Sequence, residues 1–574
     1  MYRPGSNYFL TGSVQRAILL GFIAFACLVP FVNKAFNVDD PLFLWTARHI
    51  QSNPVDFYGY KVNWDLHPER VSEFNENPPL AAYYIAIVTK YLGWSERALH
   101  LAFLMFAVAS ATGTFYLAKE FCSRPFFAAL AGILTPVFIV SGTTIMCDMM
   151  MTAFWIWAVF FWVRGLREKS VLQLGLASIL IAFCGLAKYV GISLVPLLLC
   201  YSVARKQGWC ALFLFIPAAL FGGYEWFTYQ MYGRGLLMGA ASFSTLYASF
   251  SSLYNKRIYI NLITGMVFMG GGLITALFYS FSIWRKRTLI LGVAAVTLMI
   301  GFLPMRAFLA PVPGALARFQ HEPFYHFSLI AQFYLFALGG LGILALAVSD
   351  LWRSKDAGSL LLFLWIAGLF IFLSMLNWTV NERTVLVIFP ALGILIMRAL
   401  ERRETESNRR AGRVVLFVPL ALSLAVAFAA ARADYKWAGS ERTAAVSISR
   451  QYHGRGNVWF MGHWGFQYYM EMLGGKPVNF DLTSLKPGDI IAIPENNYTQ
   501  FGESVLAKEG IVSYARICQI GFPSPKWITT LNRMTGAGFY SNYDGPLPFV
   551  FFAPAPNEQY SILQFVKPFD LSYK

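Results

Sequence analysis

Apolar runs of about twenty residues alternate along the chain with polar breaks, and a run of that length crosses a bilayer core as a helix. About thirteen such spans are predicted, near residues 16–33, 97–118, 125–143, 148–166, 170–187, 189–204, 209–230, 260–284, 288–304, 327–349, 358–376, 384–400 and 413–432. Only the Ala187-Lys188-Tyr189 turn parts the two runs at 170–204. The breaks fall into two kinds. One kind is short and basic: Lys119 and Arg124; Arg164, Arg167 and Lys169; Arg205 and Lys206; Arg285, Lys286 and Arg287; Arg353 and Lys355; and the 401–413 stretch. The other kind is longer and rich in Tyr, Phe, Asn, Gly and Pro: 33–96, 231–259, 305–326, 377–383 and everything after Arg432. The positive-inside rule places the basic set and the N-terminus in the cytoplasm, and the long loops and C-terminal region outside. The expected setting is a multi-pass protein of the cell's inner (plasma) membrane.

Period and turn residues change after Tyr435. Residues 457–461, 477–480 and 489–494 read as short strands, 464–473 as a helix, and Lys486-Pro487-Gly488-Asp489 as a turn. The predicted fold is therefore mainly α, a polytopic helical membrane region over 1–432 followed by an extracytoplasmic α/β domain over 433–574. That domain has no nucleophile elbow, phosphate loop or metal spacing, so a capping or supporting role suits it better than catalysis. Within the first outer loop, 33–96, residues 80–92 carry Tyr83, Tyr84, Ile87, Val88 and Tyr91 at helical spacing and read as an interfacial helix.

Composition supports this picture. Of the 574 residues, 57% are hydrophobic and 13% charged, against about 25% charged in soluble domains; mean hydropathy is +0.51. The net charge of +16 belongs to the short basic loops. No basic helix or aromatic–basic ribbon stands outside the spans, so nucleic acid is not an expected partner. The seven cysteines show no CxxC or Cys/His cluster and imply neither a zinc site nor a disulfide framework. The N-terminal run has no small-residue cleavage site and reads as a retained helix.

Candidate chemistry gathers on the outer side. Asp39 and Asp40 follow the first span. Asp40 before Pro41 has the pattern of a helix N-cap with proline at the first helical position, opening a short helix over 42–50, and beside Asp39 it is also a catalytic candidate. Asp39 is then left without a structural task and is the candidate general base on an acceptor hydroxyl. Asp148 stands at the outer edge of the fourth span, where a carboxylate is costly unless it faces water or a partner; a helix-start carboxylate favoured by the dipole is the alternative. Glu76, before Asn77-Pro78-Pro79-Leu80, adds a third acid, and three carboxylates on one side could hold a divalent cation. Outer Lys188, Lys256, Arg257 and Arg383 are candidate phosphate ligands, since arginine grips phosphate in a forked geometry and lysine supplies a point charge. Headgroup snorkelling competes with that reading for each of them. Arg306, Arg318, His321, Glu322 and His326 occupy the loop before the tenth span, and His321 is a possible acceptor or metal contact.

In this order, Asp39-Asp40 after the first span, Pro78-Pro79-Leu80 closing the first outer loop, Asp148 at the next outer turn, Leu186-Ala187-Lys188-Tyr189, and Glu382-Arg383 before Phe389-Pro390-Ala391-Leu392, the chain resembles the GT-C superfamily of membrane glycosyltransferases. Within it the chain is similar to bacterial protein O-mannosyltransferases and to the lipid A aminoarabinose transferase, over about residues 15–400. The resemblance implies a GT-C fold and inverting transfer of a hexosyl or pentosyl group from a polyprenyl-phosphate sugar to a glycan, lipid or protein acceptor. Asp39 would be the base, Asp148 its assistant or an acceptor or metal ligand, and the outer cations would hold the departing phosphate. The aminoarabinose enzyme has a lysine before its Pro-Pro where this chain has Asn77, which weakens a lipid A assignment, whereas Glu76 keeps the acid before it. The three-repeat β-trefoil insertion of eukaryotic protein O-mannosyltransferases is missing from this sequence.

Two other classes fit a polytopic protein with these loops. A transporter or flippase of lipid-linked sugars would carry internal repeats and charges at the bilayer midplane, and an oligosaccharide ligase or polymerase would take lipid-diphosphate donors. The charges here gather at the rim instead, which favours chemistry over transport.

Overall fold

Among the described residues, eight helices are long and apolar enough to cross a membrane by length and composition: Gly12–Phe31, Glu96–Ala118, Cys147–Glu168, Gly208–Tyr232, Phe327–Ser354, Ala357–Leu376, Glu382–Ser407 and Arg413–Tyr452. A ninth is added if Ile258–Gly272 and Thr275–Ile283, bent by 87° at their junction, count as one span. The structure, a computed structural model, describes residues 8–64, 66–75, 77–252, 255–301, 323–408, 412–452, 454, 456–479, 483–497, 514–522, 527–552 and 558–570.

Among the described residues fewer helices reach full span length than the expected count of about thirteen, because several apolar runs break or are short. The run at 125–143 is two short helices, Pro125–Ile133 and Pro136–Ser141. Pro136 lacks the N–H that would continue the first of them. The 170–204 pair is indeed two elements, Val171–Ala187 and Tyr189–Ala204, each too short to meet the length of a full span. The run at 288–304 falls in Lys286–Gly301, at the edge of the described residues. The last run does not stop at Arg432: the helix continues from Arg413 to Tyr452 and carries its polar end beyond the apolar stretch.

Packing is closest where side chains vanish. A Cβ on Gly270 would lie 1.9 Å from the carbonyl oxygen of Phe336, and one on Gly340 would lie 2.1 Å from that of Met266. The 255–272 and 323–354 helices therefore meet backbone to backbone, the small-residue contact that membrane helices use in place of a hydrophobic drive.

Ion pairs sort the polar ends into two faces. Arg124–Glu404, Arg167–Glu120, Arg285–Glu406 and Arg353–Glu406 join the short basic loops to one another. Lys34–Asp434, Arg383–Asp39, Lys188–Asp148 and Arg442–Glu96 join segments of the other set. None of these eight pairs crosses between the sets. We call the second side the loop face.

On the loop face a mixed five-stranded sheet runs in the order Lys476–Pro477, Val458–Phe460, Ile490–Pro494, Glu558–Phe565, Tyr514–Phe522. The first two pairings are parallel and the last two antiparallel. The strand at 490–494 is central and buried throughout, as its unbroken Ile-Ile-Ala-Ile run predicts. Ile490 and Ala492 face Ala444, Ile448 and Tyr452 of the long helix, while Ile491 and Ile493 face Leu485, Val478 and Leu66. Leu66 belongs to the first loop, which is clamped between membrane helices and sheet. Asn63 Nδ2 donates to the Val478 carbonyl at 2.9 Å, and Gln467 Nε2 donates to the Asn63 carbonyl at 2.8 Å.

Glu558 on the fourth strand is buried; its Oε1 accepts the N–H groups of Asn496 and Gln559 at 2.7 and 3.1 Å, and burial pushes its carboxyl up to about 8. The folded protein therefore holds a proton that the unfolded chain releases near its ordinary value of 4.5. This group's contribution to stability is full below that value and is lost as pH rises to about 8, with a slope of at most about 1.4 kcal/mol per pH unit. Glu558→Gln keeps the accepting oxygen and is expected to flatten the fall in melting temperature across that window; an unchanged slope would assign it to other groups.

Candidate functional site

The loop that carries Asp39 is held under tension. Val38 adopts a left-handed backbone, φ 48°, and is buried. For a β-branched residue this costs about 1–3 kcal/mol and persists only where neighbours over-determine it. Here the neighbours are specific. The Phe36 N–H donates to the Tyr469 hydroxyl at 2.9 Å. The buried Lys34 ammonium lies 2.5 Å from Asp434 and donates to Thr143 Oγ1 at 3.3 Å. Asp434 also accepts from the Tyr540 and Thr530 hydroxyls at 2.9 and 3.1 Å.

Asp40 is buried and does not cap its helix in the expected way. The helix runs Asp40–Ser52, with Asp39 at the cap position and no side-chain cap bond. The Asp40 carboxylate instead accepts the N–H of Asn37 at 3.0 Å and that of Ile145 at 3.2 Å. Burial pushes it up to about 7 against the pull of Lys34 and these donors. Because Ile145 lies just before the Cys147–Glu168 helix, Asp40 fixes the Asp39 turn against the helix start that presents Asp148.

Asp39 is not idle: its Oδ2 lies 2.6 Å from Nη1 of Arg383, 344 residues away in sequence. Arg383 stands in the first turn of Glu382–Val385, capped by Asn381, whose side chain accepts the Thr384 N–H at 2.9 Å. A cation opposes the dipole at a helix N-terminus, so the Asp39 carboxylate compensates its position; the same Nη1 also reaches Met146 Sδ at 3.2 Å. Asp148, in the first turn of its own helix, has the dipole in its favour. Its Oδ1 lies 2.5 Å from Lys188 Nζ, and its buried Oδ2 has no hydrogen-bond partner among the described residues. Lys188 ends Val171–Ala187, the favourable terminus for a cation.

These four charges form one group. Asp148 acts on Arg383 as well as on Lys188, and Cys147 feels all four. Cys147 Sγ also lies 3.9 Å from Asn77 Oδ1, and the Asn77 carbonyl accepts the Tyr58 hydroxyl at 2.6 Å. The Asn77-Pro78-Pro79 segment thus borders the charge group, with Pro79 at the cap of the predicted Leu80–Leu92 helix. Glu76 and His321 lie outside the described residues, as do Arg306, Arg318 and Glu322, and so do the side chains of Lys256, Arg257 and His326.

No three His, Cys, Asp or Glu side chains converge as metal ligands among the described residues. Asp39 and Asp148 each face a basic side chain, and Glu76, the third expected donor, lies outside the described residues.

Sequence reading missed Lys34 and Asp434. Each is a lone charge next to an apolar run, and their opposite signs at the ends of the first and last spans were the available signal. Glu382, named above only as the neighbour of Arg383, is buried beside Gly272.

Residues 76–222 match the family described as dolichyl-phosphate-mannose-protein mannosyltransferase. That stretch holds Asn77-Pro78-Pro79-Leu80, Asp148 and Lys188. Comparison with curated proteins finds no match. Among solved structures, ArnT from Cupriavidus metallidurans bound to undecaprenyl phosphate is similar with a TM-score of 0.47 and 12% identity, over 90% of this chain and 97% of that one. Its apo form gives 0.49 and 13%, over 89% and 96%. The Archaeoglobus fulgidus oligosaccharyltransferase, tethered with an acceptor peptide, gives 0.45 and 12%, over 82% and 64%. The match over residues 76–222 agrees with the resemblance to bacterial protein O-mannosyltransferases read from the ordered residues, and that stretch is similar to the mannosyltransferase family.

Proposed function

We propose that this protein transfers a sugar from a polyprenyl-phosphate donor to an acceptor hydroxyl at the loop face, with inversion. The observation that carries the reading is the group Asp39–Arg383 and Asp148–Lys188, two carboxylates and two cations brought from four distant segments to one side of the helices. The chemistry needs both signs. The acceptor oxygen forms a bond to the anomeric carbon while the bond from that carbon to the phosphate oxygen breaks. The hydroxyl proton passes to a base, and the phosphate leaves with the bonding electron pair and a second negative charge. Asp39, on the strained turn, takes the proton. Arg383 and Lys188 stabilise the charge that develops on the phosphate, the kind of preorganised electrostatics that carries much of a transfer barrier.

Asp148 holds Lys188 in place, and its unpaired oxygen is available to the acceptor or the sugar. The family description, which names dolichyl phosphate mannose, supports a lipid monophosphate donor. We place the protein in a bacterial inner membrane with its N-terminus cytoplasmic, and we assign the region after Arg432 to bracing the loop through Asp434 and Tyr469.

The purified protein, incubated with a panel of polyprenyl-phosphate monosaccharides and envelope acceptors, is expected to transfer sugar from at least one of them. Activity confined to lipid-diphosphate oligosaccharides would replace this reading with that of a ligase. In the same assay Asp148→Asn is expected to lose at least about tenfold in rate, roughly 1.4 kcal/mol of transition-state stabilisation. An unchanged rate would return Asp148 to a helix-start carboxylate.

A further inference from the structure

We infer that Arg383 changes partner during the reaction: the donor phosphate displaces Asp39 from Arg383, so that donor binding itself frees the base. This rests on the proposed lipid-phosphate donor. The two carboxylates and two cations already balance, so an incoming phosphodiester anion gains a full cation only if one carboxylate gives its cation up. Exposure decides which one. The Asp148 side chain is 2% exposed, whereas those of Asp39 and Arg383 are 22% and 14% exposed. Released Asp148 would be a buried, unpaired carboxylate, a strongly unfavourable state. Released Asp39 can be solvated at the mouth of the site. The geometry points the same way. Among the described residues only one guanidinium nitrogen of Arg383 is engaged, by Asp39 and the weakly accepting Met146 sulfur, and its buried Nε has no partner there. The forked geometry that grips phosphate is therefore not used up by the carboxylate.

The exchange couples the two halves of the reaction. While Arg383 holds Asp39, the Oδ2 of that carboxylate is engaged by the guanidinium. Once the phosphate takes Arg383, Asp39 is free to turn to the acceptor hydroxyl, which attacks from the face of the sugar opposite the phosphate. After transfer Asp39 carries the acceptor's proton, is neutral, and does not compete for Arg383. Loss of that proton restores the carboxylate, which reclaims Arg383 and drives the polyprenyl phosphate out.

The test is equilibrium binding of a fluorescent short-chain polyprenyl phosphate to the full chain in lipid nanodiscs. Asp39→Asn removes the competing charge and is expected to bind about tenfold more tightly than wild type. Asp39→Ser is expected to do the same and serves if the asparagine variant melts early. The gain is expected to vanish when Arg383→Gln is added to either. Saturable wild-type binding that neither Asp39 variant tightens would overturn the exchange and leave the donor reading standing, as would a gain that survives Arg383→Gln. No saturable binding to wild type would overturn both.

Discussion

Asp39→Asn is expected to abolish sugar transfer, lowering turnover by about two to four orders of magnitude, the usual share of a positioned general base. The protein should still insert and fold. The amide oxygen can accept from Arg383 at the position Asp39 Oδ2 now holds, 2.6 Å from Nη1, and the turn is fixed by Asp40, Lys34 and Tyr469 independently of Asp39. Melting temperature is therefore expected to change little while the rate collapses. Turnover at the wild-type level would remove Asp39 as the base, and a joint loss of rate and fold would make it a structural residue.

The second large effect is on the leaving group. Arg383→Gln is expected to lower turnover by about two to three orders of magnitude, the range for removing one preorganised donor from a developing oxyanion, and to raise the donor KM. Arg383→Lys is expected to recover only part of the loss, because an ammonium replaces a fork by a single point of charge. Rates and KM values measured across a donor series check both. A rate within about twofold of wild type for Arg383→Gln would put the phosphate elsewhere, since an effect that small corresponds to under about half a kcal/mol.

Much of this site was legible in the chain. Asp39, Asp148, Lys188 and Arg383 stand at the ends of apolar runs, where a charge needs a partner, and the alternation of basic and aromatic loops assigns all four to one side. Their pairing was not legible. Asp39 and Arg383 are 344 residues apart, and no local pattern encodes such a contact. Asp40 shows how a local rule fails. Asp-Pro is a sound capping signal, yet an N–H 105 residues away and the preceding turn claim its carboxylate.

The fold divides in the same way. Residues 458–460, 464–472 and 490–494 form the elements that their period and turns predict, whereas the partner strands 514–522 and 558–565 follow no comparably clear alternation. Helix breaks inside continuous apolar sequence are the hardest feature to read. The 87° bend between Gly272 and Thr275 falls inside a run that stays apolar, so its sign lies in the Gly270-Gly271-Gly272 triplet before it rather than in hydropathy. The long last helix hides its end for the opposite reason. Polarity rises after Arg432 while helix geometry continues to Tyr452.

The most direct measurement of the central claim is an experimental structure of the protein in a lipid bilayer with a polyprenyl phosphate bound. The account predicts the phosphate between Lys188 and Arg383 on the loop face, with Asp39 no longer bonded to Arg383 and facing the open side of the site. A phosphate bound away from these residues, with the Asp39–Arg383 pair intact, would contradict it.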